Sequence, residues 1–145
     1  MTIDWNRIEG RAPAPKKFTP AQIKAAVAAV NALPADGDDP NKVAAFWDCA
    51  DDLPDISQID FGDATRAQAN LATILASTKR LNRTKLLWHV KHPGQAMRKN
   101  PFTTEPMVCT TDDGTVIIVD GHHRLGAQLM LGAKSFPVWN VPVTS

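Results

Sequence analysis

The stretch VIIVDGHHRLGAQLMLG, Val116 to Gly132, decides how this chain reads. Four apolar residues in a row predict a buried strand, and the residues after His122 return to apolar character at helical spacing, with Leu125, Leu129 and Met130 as packing positions and Gly132 as the stop. Asp120 and Gly121 then sit where a strand hands the chain to a helix. Such a junction leaves backbone N–H groups unpaired at the positive end of the helix dipole, which suits an anion. Gly121 lets backbone approach a ligand closely, and Arg124 adds a permanently charged donor fork matched to phosphate or carboxylate. His122 and His123 can donate, accept or transfer a proton near neutral pH. Asp120 suits three roles: orienting a histidine, binding Mg²⁺ or acting as a base. It equally fits a plain helix cap with Arg124 as its ion-pair partner. Of two successive helix residues one is expected to face inward, so one histidine is assigned to a ligand and the other to packing.

Outward from this stretch, KLLWHVK (85–91), PMVCTT (106–111) and TVIIVDG (115–121) read as short strands, with DDG at 112–114 as a hairpin turn and FPVWNVPV as a last strand. Upstream the pattern is helical. Thr19 and Pro20 open a helix with Ile23, Val27, Val30 and Leu33 on one side. NKVAAFWDCADDL from Asn41 predicts a second helix, with Val43, Phe46 and Trp47 on a common face, and ATRAQANLATILASTKRL, capped near Asp63, predicts a third. The expected architecture is α+β: an N-terminal arm and helical elaboration over 1–84, packed with a small mixed sheet and a motif helix over 85–145.

At 145 residues, 43% hydrophobic and 21% charged, the composition is that of one globular domain. No apolar run is long enough to span a bilayer, and the first residues lack the pattern of a secretory signal, so a cytoplasmic location is expected. Cys49 and Cys109 stand in no metal-ligand pattern and read as buried, reduced thiols. The formal net charge of +1 hides an asymmetry: residues 1–78 carry seven Lys/Arg against eleven Asp/Glu, whereas residues 79–145 carry nine against four. All four histidines lie in the basic half, which favours phosphate-type ligands there. Nine aspartates fall within 36–63, a solvated surface or else an acidic face that docks on the basic half of this chain or on a basic partner.

The segment TVIIVDGHHRLGAQLMLGAKSFPVWNV resembles the signature of the ParB/sulfiredoxin-like superfamily, in which a strand, a D-G-H-H-R-like turn, a helix and a last strand follow one another. More weakly, HPGQAMRKNP resembles the upstream Pro, Gln and Arg segment of that group through Pro93, Gln95 and Arg98. Together the likeness covers about residues 85–142. It implies a nucleotide, ATP or CTP, with Mg²⁺, whose phosphates are held by Gly121, His122, His123, Arg124 and Arg98. Asp120 would position the turn, hold the metal or serve catalysis with the histidines. The kinase members use an acid ahead of the turn, for which Glu105 is the candidate, a surface role for it standing beside that one. Sulfiredoxins carry a reactive cysteine where this chain has His122, and partition proteins have a G-E-R-R-type turn and a following helix-turn-helix, so neither of those activities is expected.

Three functions follow in order of preference. The first is a nucleotide-binding enzyme that hydrolyses or transfers a phosphoryl group with Mg²⁺. The second is a ParB-like nuclease or DNA-binding protein using Lys79, Arg80, Arg83, Lys85, Lys91, Arg98 and Lys99 along a phosphate backbone. The third is a noncatalytic phage or mobile-element module, with the acidic half and the tryptophans Trp5, Trp47, Trp88 and Trp139 as protein interface.

Overall fold

The computed structural model describes residues 8–9, 17–95 and 106–143. The architecture is α+β, with ten elements in the order β1 (Ile8–Glu9), α1 (Pro20–Ala32), β2 (Lys42–Ala44), β3 (Thr65–Asn70), β4 (Arg80–Asn82), α2 (Arg83–Lys91), β5 (Met107–Thr110), β6 (Val116–Asp120), α3 (His122–Met130) and β7 (Ser135–Pro142). Five strands form a mixed sheet in the order β1-β3-β7-β5-β6, and β2 with β4 forms a second, two-stranded sheet. Strands β5 and β7 run parallel; the other neighbours in both sheets are antiparallel. The main sheet therefore draws strands from both sides of residue 85.

Strand β6 is buried on both faces, which is why VIIV lacks polar alternation. Val116 and Ile118 point into a core shared with Ala67, Ala69, Leu125, Phe136 and Val138. Ile117 points the other way, with Cys109 and Val141, toward a cover that includes Ala50, Ile59 and Ala64. A third cluster joins the helices: Ala26 and Val30 of α1, Leu86 and Val90 of α2, and Ala127 and Leu131 after them in space, with Val43 and Leu81 of the small sheet.

Several sequence expectations hold. Helix α1 starts at Thr19, whose hydroxyl accepts the Gln22 N–H at 3.2 Å while the Gln22 side chain accepts the Thr19 N–H at 2.8 Å, a reciprocal capping box. The DDG turn joins β5 to β6, with Asp113 accepting from the Thr115 N–H at 3.1 Å. Helix α3 is followed by Gly132, and the Ala133 N–H reaches back to the Gln128 carbonyl at 2.9 Å.

Three expectations are corrected. The helix predicted from Asn41 is instead β2 followed by irregular chain. Asp39 accepts the Asn41 N–H at 2.9 Å, turning the chain sharply, and Val43 pairs with Leu81. Val43 and Trp47 are both buried, but in different clusters, so their spacing of four reflects no helical face. The helix predicted from Asp63 is instead β3 and β4. Ala67, Gln68 and Ala69 are all buried because β3 is an interior strand with both faces covered; alanine is chosen there for size, and tertiary pairing outweighs its helix propensity. Lastly, KLLWHVK is not a strand but most of α2. Asn82 caps it by accepting the Lys85 N–H at 3.0 Å, and Leu86 and Val90, four apart, are fully buried.

The two cysteines are free thiols, but only Cys109 is buried; Cys49 is half-buried. Burial pushes the Cys109 thiol up to about 11, so it is unreactive at neutral pH. Eight of the nine aspartates in 36–63 are exposed; the ninth, Asp36, is half-buried and pairs with Arg80 at 3.0 Å. Several serve turns, as Asp39, Asp55 and Asp60 accept nearby backbone N–H groups. Among the described residues no helix is long and apolar enough to cross a membrane.

Candidate functional site

Strand β6 delivers Asp120 to the surface, and Gly121 makes the turn into α3 with φ +95°. A Cβ at Gly121 would lie 3.0 Å from Pro106, so both the backbone angle and the neighbour demand glycine. Gly121 is the N-cap of α3 and, being glycine, brings no capping side chain of its own. Asp120, read from sequence as a capping candidate, stands immediately before this N-cap. The first-turn N–H groups of α3 stand at the dipole's positive end, next to this glycine.

This turn opens on a cleft of about 460 Å³ lined by Asp120, Gly121, His122, His123 and Arg124, together with Thr78, Arg80, Lys85, Trp88 and His89. The sequence-nominated residues from Asp120 to Arg124 are therefore brought together in one place. Three of the ten lining residues are permanently cationic and one is acidic, so the cleft favours anions. Arg98 and Glu105 lie outside the described residues.

Both histidines line the cleft. Each is half-buried, and each accepts a hydrogen bond from main chain: the Ser77 N–H donates to His122 Nε2 at 3.0 Å, and the Asn82 N–H donates to His123 Nε2 at 2.8 Å. Accepting through Nε2 places the remaining proton of a neutral ring on Nδ1. Desolvation lowers the pKa of both rings. His123 falls to about 4, helped by the charges of Lys85, His89, His122 and Lys42; for His122 the nearby Asp120 acts in the opposite sense. His89 also falls to about 4, through burial and then through Arg124, His92 and Lys85, and its buried Nδ1 has no partner among the described residues. The cleft thus presents neutral imidazoles beside fixed cations at neutral pH.

The supports of these rings went unread in the sequence. Residues 75–77 run alongside β6: Leu75 exchanges backbone bonds with Val116 and Ile118, both at 2.9 Å, and the Ser77 hydroxyl donates to the Ile118 carbonyl at 2.6 Å. On its far side, Ala76 bonds Asp48 and Ala50. This strap and β4 after it form the wall against which His122 and His123 rest. Trp88, which the sequence offers only as part of a protein interface, also lines this cleft, a placement hidden by the strand-like look of KLLWHVK. The available signal was Asn82 as a cap, Leu86 and Val90 four apart, and Pro93 just beyond.

The basic run over 79–85 is less available than its letters suggest. Arg83 is turned inward, donating to the carbonyls of Val30 at 2.6 Å, Leu33 at 2.8 Å and Pro40 at 3.1 Å, and Arg80 is paired with Asp36. Among the described residues no group of three His, Cys, Asp or Glu is gathered to hold a metal ion. Among the described residues Asp120 is the single carboxylate lining the cleft, a donor set that fits Mg²⁺ only when a ligand's phosphate oxygens complete the coordination. Comparisons with protein-family models, with curated proteins and with solved structures find no match for this chain.

Proposed function

We propose that this chain is a nucleotide-binding protein of the ParB/sulfiredoxin-like kind, with the DGHHR turn as its phosphate site and phosphoryl transfer or hydrolysis as its reaction class. One observation carries the reading: the glycine-capped start of α3 opens into a cationic cleft that also holds both histidines and Arg124. Phosphate oxygens would take the first-turn N–H groups, the Nδ1–H groups of His122 and His123, and the Arg124 guanidinium. Lys85 and Arg80 would neutralise the charge further out. Phosphoryl chemistry asks a protein mainly for positioning and charge stabilisation, which these groups supply. Asp120 would be the residue to hold Mg²⁺, which would supply charge neutralisation to the phosphates. With their Nε2 atoms engaged by main chain, the histidines would serve this site as fixed donors, and Asp120 is the lining carboxylate that would either hold the metal or take a proton.

The test is a thermal-shift panel of ATP, CTP, GTP and ADP with and without Mg²⁺. A ligand at a hundred times its Kd stabilises the fold by about 2.7 kcal/mol. We expect one nucleotide to do so, and the effect to fall sharply in Arg124→Ala and in Lys85→Ala, the latter an exposed residue whose loss spares the core. No shift across the panel would overturn the reading. Steeply salt-dependent binding of duplex DNA in its place would favour the nuclease reading.

A further inference from the structure

Trp88 is 48% exposed, one of only three large hydrophobic residues so open among the described residues, and it lines the same cationic cleft. Leaving an indole in water forfeits a large burial energy, so its position calls for a partner. Its setting is built rather than loose. His92 stacks on it with ring centroids 4.3 Å apart and planes at 22°, while His89 meets it nearly perpendicular at 5.0 Å. His92 is itself pinned at the end of α2: both its N–H and its Nδ1–H donate to the Trp88 carbonyl, at 3.0 and 2.7 Å. One face of the indole is thus backed by a fixed ring, and the exposed area belongs to the remainder.

We propose that Trp88 is the stacking platform for the base of a nucleoside phosphate whose phosphates sit at the start of α3. The inference rests on the phosphate reading above and adds a specificity residue to it. The cleft, at about 460 Å³, has the size of a small-molecule site, and it places a flat π surface and a set of anion donors on opposing elements, α2 and α3. A phosphate alone needs no indole, and a stacked base needs no cations; a ligand carrying both accounts for the whole lining. Because stacking reads the π face and not the base edge, the platform favours any nucleobase over a sugar phosphate.

Isothermal titration of the full chain with inorganic tripolyphosphate, a nucleoside triphosphate and a short oligothymidylate tests this. We expect the nucleoside triphosphate to bind at least about tenfold more tightly than tripolyphosphate, and Trp88→Ala to remove that advantage while leaving tripolyphosphate affinity within about twofold. Trp88→Phe, which keeps a smaller ring, should retain most of it. If tripolyphosphate binds and the base adds nothing, or if Trp88→Ala weakens both ligands equally, the platform is wrong and the phosphate site stands. If neither binds, the phosphate site itself is wrong, and the platform with it. Binding of oligothymidylate in preference to the free nucleotide would also overturn the proposal.

Discussion

Gly121 concentrates the demands of the site on one residue. Its φ of +95° lies where side chains are strained, and Pro106 stands 3.0 Å from where a Cβ would go. Gly121→Ala is therefore expected to cost about 2 kcal/mol, read as a lower denaturant midpoint with an unchanged slope. An unchanged midpoint would mean that the turn can relax without loss. This residue was legible in the sequence, because a glycine between a buried strand and a helix needs no knowledge of the rest of the chain. Its histidine neighbours were legible only in part. That they were suited to a ligand followed from their place at the turn, but both being held at Nε2 by distant main-chain N–H groups depends on pairing that no local pattern announces.

At the scale of elements, the readings that succeeded rest on local chemistry: the Thr19 capping box, the DDG hairpin, and the change from strand to helix at Gly121. Those that failed lie between residues 41 and 91, where alanines and apolar spacings of four mimic helix in strands, and β-branched and aromatic residues mimic strand in α2. What decided these segments was burial on two faces, as at Ala67 and Ala69, and long-range pairing, as of Val43 with Leu81. Arg83 shows how far such pairing reaches. At the first position of α2 it takes carbonyls from the end of α1 and from Pro40, while Asn41 caps α2 in return by accepting from the Thr84 N–H at 3.1 Å and hydroxyl at 2.8 Å. Two helices and the loop between them are joined through this exchange. Arg83→Met is expected to cost about 2–3 kcal/mol, because it removes the charged donor from the part-buried Val30 and Leu33 carbonyls, of which Val30 keeps only the Leu33 N–H at 3.2 Å. Arg83→Lys should recover little of it, since an ammonium cannot reproduce the planar fork. Chemical denaturation of the two variants checks both statements, and a full rescue by lysine would show that charge alone matters.

For the molecule as a whole, the neutral imidazoles tie stability to pH. His89 and His123 have folded pKa values near 4 against an ordinary 6.5, so between these limits the unfolded chain binds protons that the folded chain refuses. Their contribution is complete above pH 6.5 and is lost as pH falls toward 4. Protonated His123 also has no lone pair with which to accept from Asn82. We expect the melting temperature to drop by about 5 °C or more between pH 7 and pH 4.5, with a shallower fall in His123→Gln. A parallel fall in the variant would place the sensitivity elsewhere. The strap from Leu75 to Asn82 carries a different consequence. Its two donors to the histidines are main-chain N–H groups, which every residue except proline supplies. Positions 77 and 82 can therefore change their side chains while the hold on the two rings persists, provided the chain keeps its course. A change of side chain at 77 or 82 would be felt in the Ser77 bond to the Ile118 carbonyl or in the Asn82 cap of α2, and not in the hold on the rings. Proline at either strap position would release one ring and leave the other in place, separating the two histidines' contributions without altering either one.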